Sequence, residues 1–166
     1  LLEEEAFFKR MQELVWSMTQ TMFSSRVITP GKTRTSDLVW WWRQRVNDLG
    51  LQTWFQPSVS VQRKGASEAQ LGEDPVIEPG DLLHCDVGIT VARLTTDTQH
   101  NAYVLRPGET EPPAGLRQAL ANANALQDIV VDEMRPGRTG NEILTAARAR
   151  MQAKKIDGTV YSHPIG

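Results

Sequence analysis

The fold is decided by Glu78-Pro79-Gly80-Asp81-Leu82-Leu83-His84-Cys85-Asp86-Val87-Gly88 together with the segment that follows it, Leu94-Thr95-Thr96-Asp97-Thr98-Gln99-His100-Asn101-Ala102-Tyr103-Val104-Leu105. Pro79-Gly80 closes a polar loop, and Leu82 to Thr90 and Leu94 to Leu105 are rich in β-branched and apolar residues, which predicts two strands. They are close enough in sequence to form a hairpin that carries Asp86 on one arm and Asp97 on the other. With the loop centred on Val91-Ala92 the two acids face each other on one side of the ribbon, their Cβ atoms about 4.5–5.5 Å apart. Bare like charges in that position destabilise a strand pair and push one carboxyl pKa upward unless positive charge lies between them. One divalent metal, or two about 3.5–4 Å apart as in dinuclear hydrolases, would resolve the conflict. Spacing alone equally allows two strand-end aspartates satisfied by backbone N–H groups. A slip of one residue would send one acid to the opposite face. The loop also lacks the Gly or Asn of the tightest hairpin turns, so turn chemistry does not fix the register.

Working outward, residues 3–23 place Phe7, Met11, Leu14, Val15, Met18 and Met22 at helical spacing. A turn at Thr29-Pro30-Gly31-Lys32-Thr33 leads into N-cap candidates between Thr33 and Asp37 and a second helix ending at Gly50. That helix carries Trp40, Trp41 and Trp42, and because successive helical positions rotate by about 100°, the three rings cannot all face one core. The outermost ring belongs either to an interface or to partly exposed helix surface. Trp54 to Gln62 reads as a strand interrupted by Pro57, and Gly65 to Glu78 as a polar loop. Pro113 opens a long helix to about Met134, which Pro136-Gly137 ends. Thr139-Gly140-Asn141-Glu142 matches a capping box at the start of a helix reaching about Lys155, and Asp157-Gly158 turns into a final strand, Thr159 to Ser162.

The chain has 166 residues, enough to bury a core without disulfides. Its 18 basic and 20 acidic residues leave a net charge of −2, with no basic run that could serve as a footprint for phosphate, so nucleic acid is not an expected partner. No segment approaches the roughly 18–20 apolar residues of a membrane span, and the acidic start LLEEEAFFKR is unlike a signal peptide. One cysteine, Cys85, cannot form an internal disulfide, and the cytoplasm is the expected compartment. The chain opens at Leu1 and closes within what reads as an ordered strand, so a piece of a longer domain is expected.

The string from Glu78 to Gly88, followed by Thr96-Asp97-Thr98-Gln99 and Tyr103-Val104-Leu105, resembles the first two metal-ligand strands of the pita-bread metallopeptidases. These comprise the Xaa-Pro dipeptidases and aminopeptidases, with creatinase and the methionine aminopeptidases as relatives. Pro30-Gly31, Pro136-Gly137-Arg138-Thr139 and Tyr161-Ser162-His163-Pro164-Ile165-Gly166 are similar landmarks in the same order, so the resemblance runs over nearly the whole chain. It implies an α/β (α+β) pita-bread fold, a curved, mostly antiparallel sheet with helices on its outer face and metals on the concave side. Residues 1–166 would be the N-terminal and central part of one catalytic domain whose remainder is absent. It further implies Asp86, Asp97 and His163 as metal ligands and two divalent ions, Mn²⁺ ahead of Co²⁺, Zn²⁺ or Fe²⁺ because carboxylates favour harder ions. His84 shares a face with Asp86 and is either a hydrogen-bonding support for the ligands or plain packing. Cys85 and His100 point the other way, as packing or surface residues.

The implied activity is hydrolysis of the bond between an N-terminal residue and proline, with a peptide as substrate and a metal-bridged hydroxide as nucleophile. Two glutamates that complete the family's site lie beyond the His-containing strand. The segment therefore holds three of five ligands, contains no catalytic residue of its own, and is expected to be inactive alone. The histidine that the family usually places upstream of the first ligand strand is missing, since no His occurs between Gly50 and Leu83. That departure puts the usual carbonyl or leaving-group contact in doubt and favours a proline-directed peptidase over a methionine aminopeptidase. It also motivates the alternative of a family member that has lost catalysis and acts as a binding module. A non-peptide C–N hydrolase on the same fold is a third reading. A piece of the domain would expose sheet edge and core surface, which leaves room for a homodimer.

Overall fold

In the computed structural model the described residues are 2–160. They form two compact units, one running to Thr110 and a second beginning at Glu111.

The first unit opens with α1 (Leu2–Met22), whose Met11, Val15, Met18 and Met22 are buried at the spacing expected of an amphipathic helix. In α2 (Thr35–Asp48), Leu38, Trp42 and Val46 recur every fourth residue and are buried. The tryptophan run resolves as helical rotation demands: Trp42 is fully buried, Trp41 packs at the edge of the core, and Trp40 stands exposed with the Arg43 guanidinium 4.8 Å from its ring centroid. The helix begins where Asp74, from the following loop, accepts hydrogen bonds from the Ser36 N–H at 2.9 Å and the Thr35 hydroxyl at 3.1 Å. These bonds, the Ser36 N–H first, hold the Asp74 carboxyl below its ordinary pKa. It ends at Gly50, which takes φ +67° while the Leu51 N–H bonds back to the Val46 carbonyl.

Strand β1 (Ser58–Gln62) starts immediately after Pro57, which therefore bounds the strand instead of interrupting it. The polar loop beyond it contains a short helix, α3 (Glu68–Leu71), capped by Ser67. The two long strands expected from the sequence are each broken once: β2 (Leu82–Val87) and β3 (Thr90–Val91) form one arm, β4 (Leu94–Thr95) and β5 (Thr98–Tyr103) the other. β1, β2 and β5 make an antiparallel sheet in the order β1-β2-β5, and β3 pairs with β4 at the tip. The tip turns on Ala92 and Arg93, with φ +50° and +67°, the left-handed pair that a two-residue type I′ turn requires. The hairpin is thus centred one residue later than expected, and without the Asn-Gly that usually fills this turn.

Alternation along β2 separates its two faces. Leu83, Cys85 and Val87 are fully buried, and join Val61 of β1 and the apolar stripes of α1 and α2 in a single core. At the entrance to β2 lies Asp81, fully buried. Arg63, just past β1, grips it with Nε to Oδ1 at 2.7 Å and Nη2 to Oδ2 at 2.8 Å, while the Glu78 N–H donates to Oδ2 at 2.8 Å. The same Nη2 donates to the Val76 carbonyl. One bidentate pair therefore ties the end of β1 to the turn that launches β2.

In the second unit Pro113 caps α4 (Ala114–Glu133), and α5 (Gly140–Ala153) begins at the expected capping box, with the Glu142 carboxylate 2.7 Å from the Thr139 N–H. Ile129, Ala147 and Ile156 form its core. Arg150 reaches from α5 to Glu133 and Asp132, and Arg138 also pairs with Glu133. The strand expected over Thr159 to Ser162 is not seen at Thr159 and Val160, and its remainder lies outside the described residues. Among the described residues no helix is long and apolar enough to cross a membrane.

Removing one partner of a buried ion pair leaves the other charge uncompensated, at a cost of about 3–5 kcal/mol. Arg63→Ala should fall near the lower end, because the guanidinium is partly exposed, and should lower the urea midpoint far more than Arg106→Ala, whose partner Glu109 is accessible.

Candidate metal centre

The face of the sheet turned away from α1 and α2 is polar. Reading across the strands, one row is Ser58, Asp86 and Gln99, the next Ser60, His84 and Asn101, and the third Gln62, Leu82 and Tyr103. Residues opposite each other in register present their side chains on the same face, so these rows follow from the pairing.

Asp86 does not stand opposite Asp97. Its partner in register is Gln99, two residues further along. The displacement follows from the turn, which sits on Ala92-Arg93 and not on Val91-Ala92. The shift of two residues sets Gln99 opposite Asp86, and Asp97 falls in the break between β4 and β5. The two carboxylates interact: Asp86 is raised above its ordinary pKa first by burial and then by the negative charge of Asp97, with His84 and the Gln99 hydrogen bond opposing. Asp86 Oδ2 accepts from Gln99 Nε2 at 3.2 Å, whereas Asp86 Oδ1 is buried with no hydrogen-bond donor.

What brings Asp97 to Asp86 is a close backbone approach one residue beyond β2. A Cβ built on Gly88 would stand 2.2 Å from the Thr96 carbonyl oxygen and 2.7 Å from Phe55 Cε1. Thr96, fully buried, is held there by three bonds: its N–H donates to the Ile89 carbonyl at 2.9 Å, its hydroxyl accepts from the Ile89 N–H at 3.0 Å, and its carbonyl accepts from Trp54 Nε1 at 2.9 Å. Gly88, Thr96, Trp54 and Gln99 were not singled out by sequence reasoning. A glycine inside a strand pattern is the signal by which sequence reasoning could have found the close approach.

His84 lies on the polar face with Nε2 3.1 Å from Gln99 Oε1, linked to Asp86 through that amide. Cys85 points into the core, where burial pushes its thiol up to about 11, and it is therefore a protonated packing residue. His100 shares the Cys85 face, its ring 4.9 Å from that of Trp16 on α1, and burial lowers its pKa. His163 lies outside the described residues. Among the described residues no three His, Cys, Asp or Glu side chains form a ready metal cluster. The donor set present nevertheless suits a cation: two hard carboxylates side by side, one of them with a buried oxygen lacking any donor.

The sequence profile of metallopeptidase family M24 matches residues 7–166, and the chain belongs to that family. Solved structures agree on the fold. An X-Pro aminopeptidase from Thermotoga maritima is similar at a TM-score of 0.61 and 18% identity, over 88% of this chain and 40% of its own. A prolidase from Thermococcus sibiricus gives 0.67 and 17%, over 89% and 38%, and the prolidase from Pyrococcus furiosus 0.61 and 18%, over 92% and 43%. The pita-bread fold expected from the sequence is thus the fold of this chain, which spans about two fifths of the length of these relatives. No curated protein sequence matches it.

Replacing Gly88 by Ala should force the ribbon apart at Thr96, because a backbone carbonyl cannot swing aside as a flexible side chain could. The expected loss is about 1–3 kcal/mol, the usual range for overpacking. The carboxyl resonance of Asp86 should also titrate closer to an ordinary aspartate, since Asp97 would have moved away. An unchanged Asp86 titration in a folded Gly88→Ala protein would show that the close approach does not set the pair.

Proposed function

We propose that Asp86, Asp97 and His163 bind divalent cations in a metallopeptidase that hydrolyses the bond between an N-terminal residue and proline. Residues 1–166 would contribute the N-terminal and central part of its catalytic domain. The single observation that carries the metal assignment is the convergence of Asp86 and Asp97 on the polar face, with Asp86 Oδ1 buried and lacking a donor. Membership of family M24 supports peptide hydrolysis, and the fold shared with an X-Pro aminopeptidase and two prolidases supports proline specificity. A pair of divalent ions, Mn²⁺ by preference of the carboxylates, would supply Lewis-acid polarisation of the scissile carbonyl and an activated water. The chain's own side chains would hold the cations: Asp86 and Asp97 as anionic ligands, His163 as a neutral one, and His84 as support behind Asp86. Activity would belong to the whole protein, this segment alone being inactive. The free, buried Cys85 fits a cytoplasmic setting.

The electrostatics give the proposal a sign. Because the Asp86 pKa is raised in the fold, its contribution to stability is full below the ordinary carboxylate value and is lost as pH rises through the raised one. At neutral pH the metal-free fold carries that cost and a cation removes it. Mn²⁺ at roughly 100 times its dissociation constant should stabilise the chain by about 2.7 kcal/mol at pH 7. Asp86→Asn should abolish this gain while leaving the metal-free protein no less stable than the wild type. No Mn²⁺-dependent shift in the wild-type melting curve would remove the metal assignment. For the reaction, the full-length protein loaded with Mn²⁺ or Co²⁺ is expected to cleave Xaa-Pro dipeptides. Cation binding without turnover of any such peptide would instead identify a binding module on this fold.

A further inference from the structure

Gln99 bonds to both functional side chains on its row and the next. Its Nε2 donates to Asp86 Oδ2 at 3.2 Å, and its Oε1 lies 3.1 Å from His84 Nε2. The roles in this chain follow from chemistry. An ionised carboxylate only accepts, so the amide nitrogen must face Asp86. That leaves the amide oxygen for His84, which must then carry its proton on Nε2. With Asp86 ionised, each group fixes its neighbour, and the order His84, Gln99, Asp86 has one consistent set of donors. The arrangement has a directional result at Asp86. Oδ2 is engaged by the partner strand, whereas Oδ1 is buried without a donor and is the oxygen left for a ligand. Gln99 sits directly opposite Asp86 in the β2–β5 register, so this bond is anchored by the ladder on both sides.

Resting on the metal reading of Asp86 above, we propose that Gln99 is a positioning residue for cation binding: its carboxamide holds Asp86 in one orientation through Oδ2 and locks His84 as the Nε2–H tautomer, leaving Asp86 Oδ1 to ligate. An ordinary cross-strand pair would support the sheet and have no effect on metal affinity. Loss of a hydrogen-bonding residue behind a ligand typically weakens metal binding about 10–100-fold.

Two variants separate these roles. Gln99→Met keeps the length and removes both hydrogen bonds. Gln99→Val does the same with a residue that favours strands, so the sheet is kept even if the methionine variant folds poorly. Mn²⁺ affinity of the 166-residue chain is measured by calorimetry, and the metal-free His84 tautomer by its ring ¹⁵N shifts. Both variants should bind Mn²⁺ at least about tenfold more weakly than the wild type. The Nε2–H signature of His84 should give way to a mixture of tautomers, with the unfolding midpoint little changed. Wild-type affinity in either folded variant overturns the role of Gln99 while leaving the metal reading intact. If the wild-type chain and Asp97→Asn alike take up no Mn²⁺, the metal reading falls and the role of Gln99 with it.

Discussion

The backbone contact between Gly88 and Thr96 is the constraint on which the polar face is organised. With no Cβ at 88 the Thr96 carbonyl can lie where a side chain would otherwise be; the Trp54 indole donates to that carbonyl, and the Ile89 N–H donates to the Thr96 hydroxyl. The ladder is interrupted at this point, since β2 stops at Val87 and β5 starts at Thr98. Freed from strand pairing, Asp97 can approach Asp86 from the next position along the ribbon. A regular ladder through the same residues would have fixed Asp97 within the strand pairing. The break is therefore part of what makes the acidic pair, and the buried threonine next to Asp97 is what makes the break reproducible.

Two carboxylates a few residues apart in this chain meet opposite fates, and the contrast is informative. Asp81 is more deeply buried than Asp86, yet three donors converge on its oxygens: two from Arg63 and one from the Glu78 amide. It is a structural anion with its charge answered inside the fold. Asp86 has one amide on one oxygen, nothing on the other, and a second acid beside it. Buried polar atoms are nearly always partnered, and Asp86 Oδ1, like Trp42 Nε1 and Thr90 Oγ1, is an exception among the described residues. The fold can carry that local cost because Val61, Leu83, Cys85 and Val87 on the opposite face of the sheet are buried in one core with α1 and α2, with Arg63 and Asp81 clamping the entrance to β2.

Much of this was legible in the residues. Helical spacing gave α1 and α2 nearly residue for residue, the capping box at Thr139 located α5, and alternation in β2 sorted Cys85 from Asp86 correctly. The register was not legible, because it depends on Ala92 and Arg93 accepting left-handed backbone angles that neither residue advertises. The displacement is two residues, so Gln99 takes the rung opposite Asp86, while Asp97, in the break before β5, still meets the Asp86 carboxylate. Gln99 was invisible for the same reason: its importance comes only from standing where Asp97 was expected. Pairing of distant polar side chains has no sequence period, unlike burial, and is read only once the strands are aligned.

The two-residue offset also changes how the ribbon can serve a cation. Directly opposed aspartates would have faced one another across a single rung, each competing for the same space. In the observed register Gln99 takes the rung facing Asp86 and Asp97 the adjacent level, so one acid is held by a neutral amide while the other approaches from the side. A neutral partner matters here. A lysine or arginine opposite Asp86 would neutralise it, as Arg63 does Asp81, and the charge that the proposed cation site relies on would be taken up by an ion pair. The amide orients Asp86 without cancelling its charge, which is the property a ligand-bearing strand needs from its neighbour.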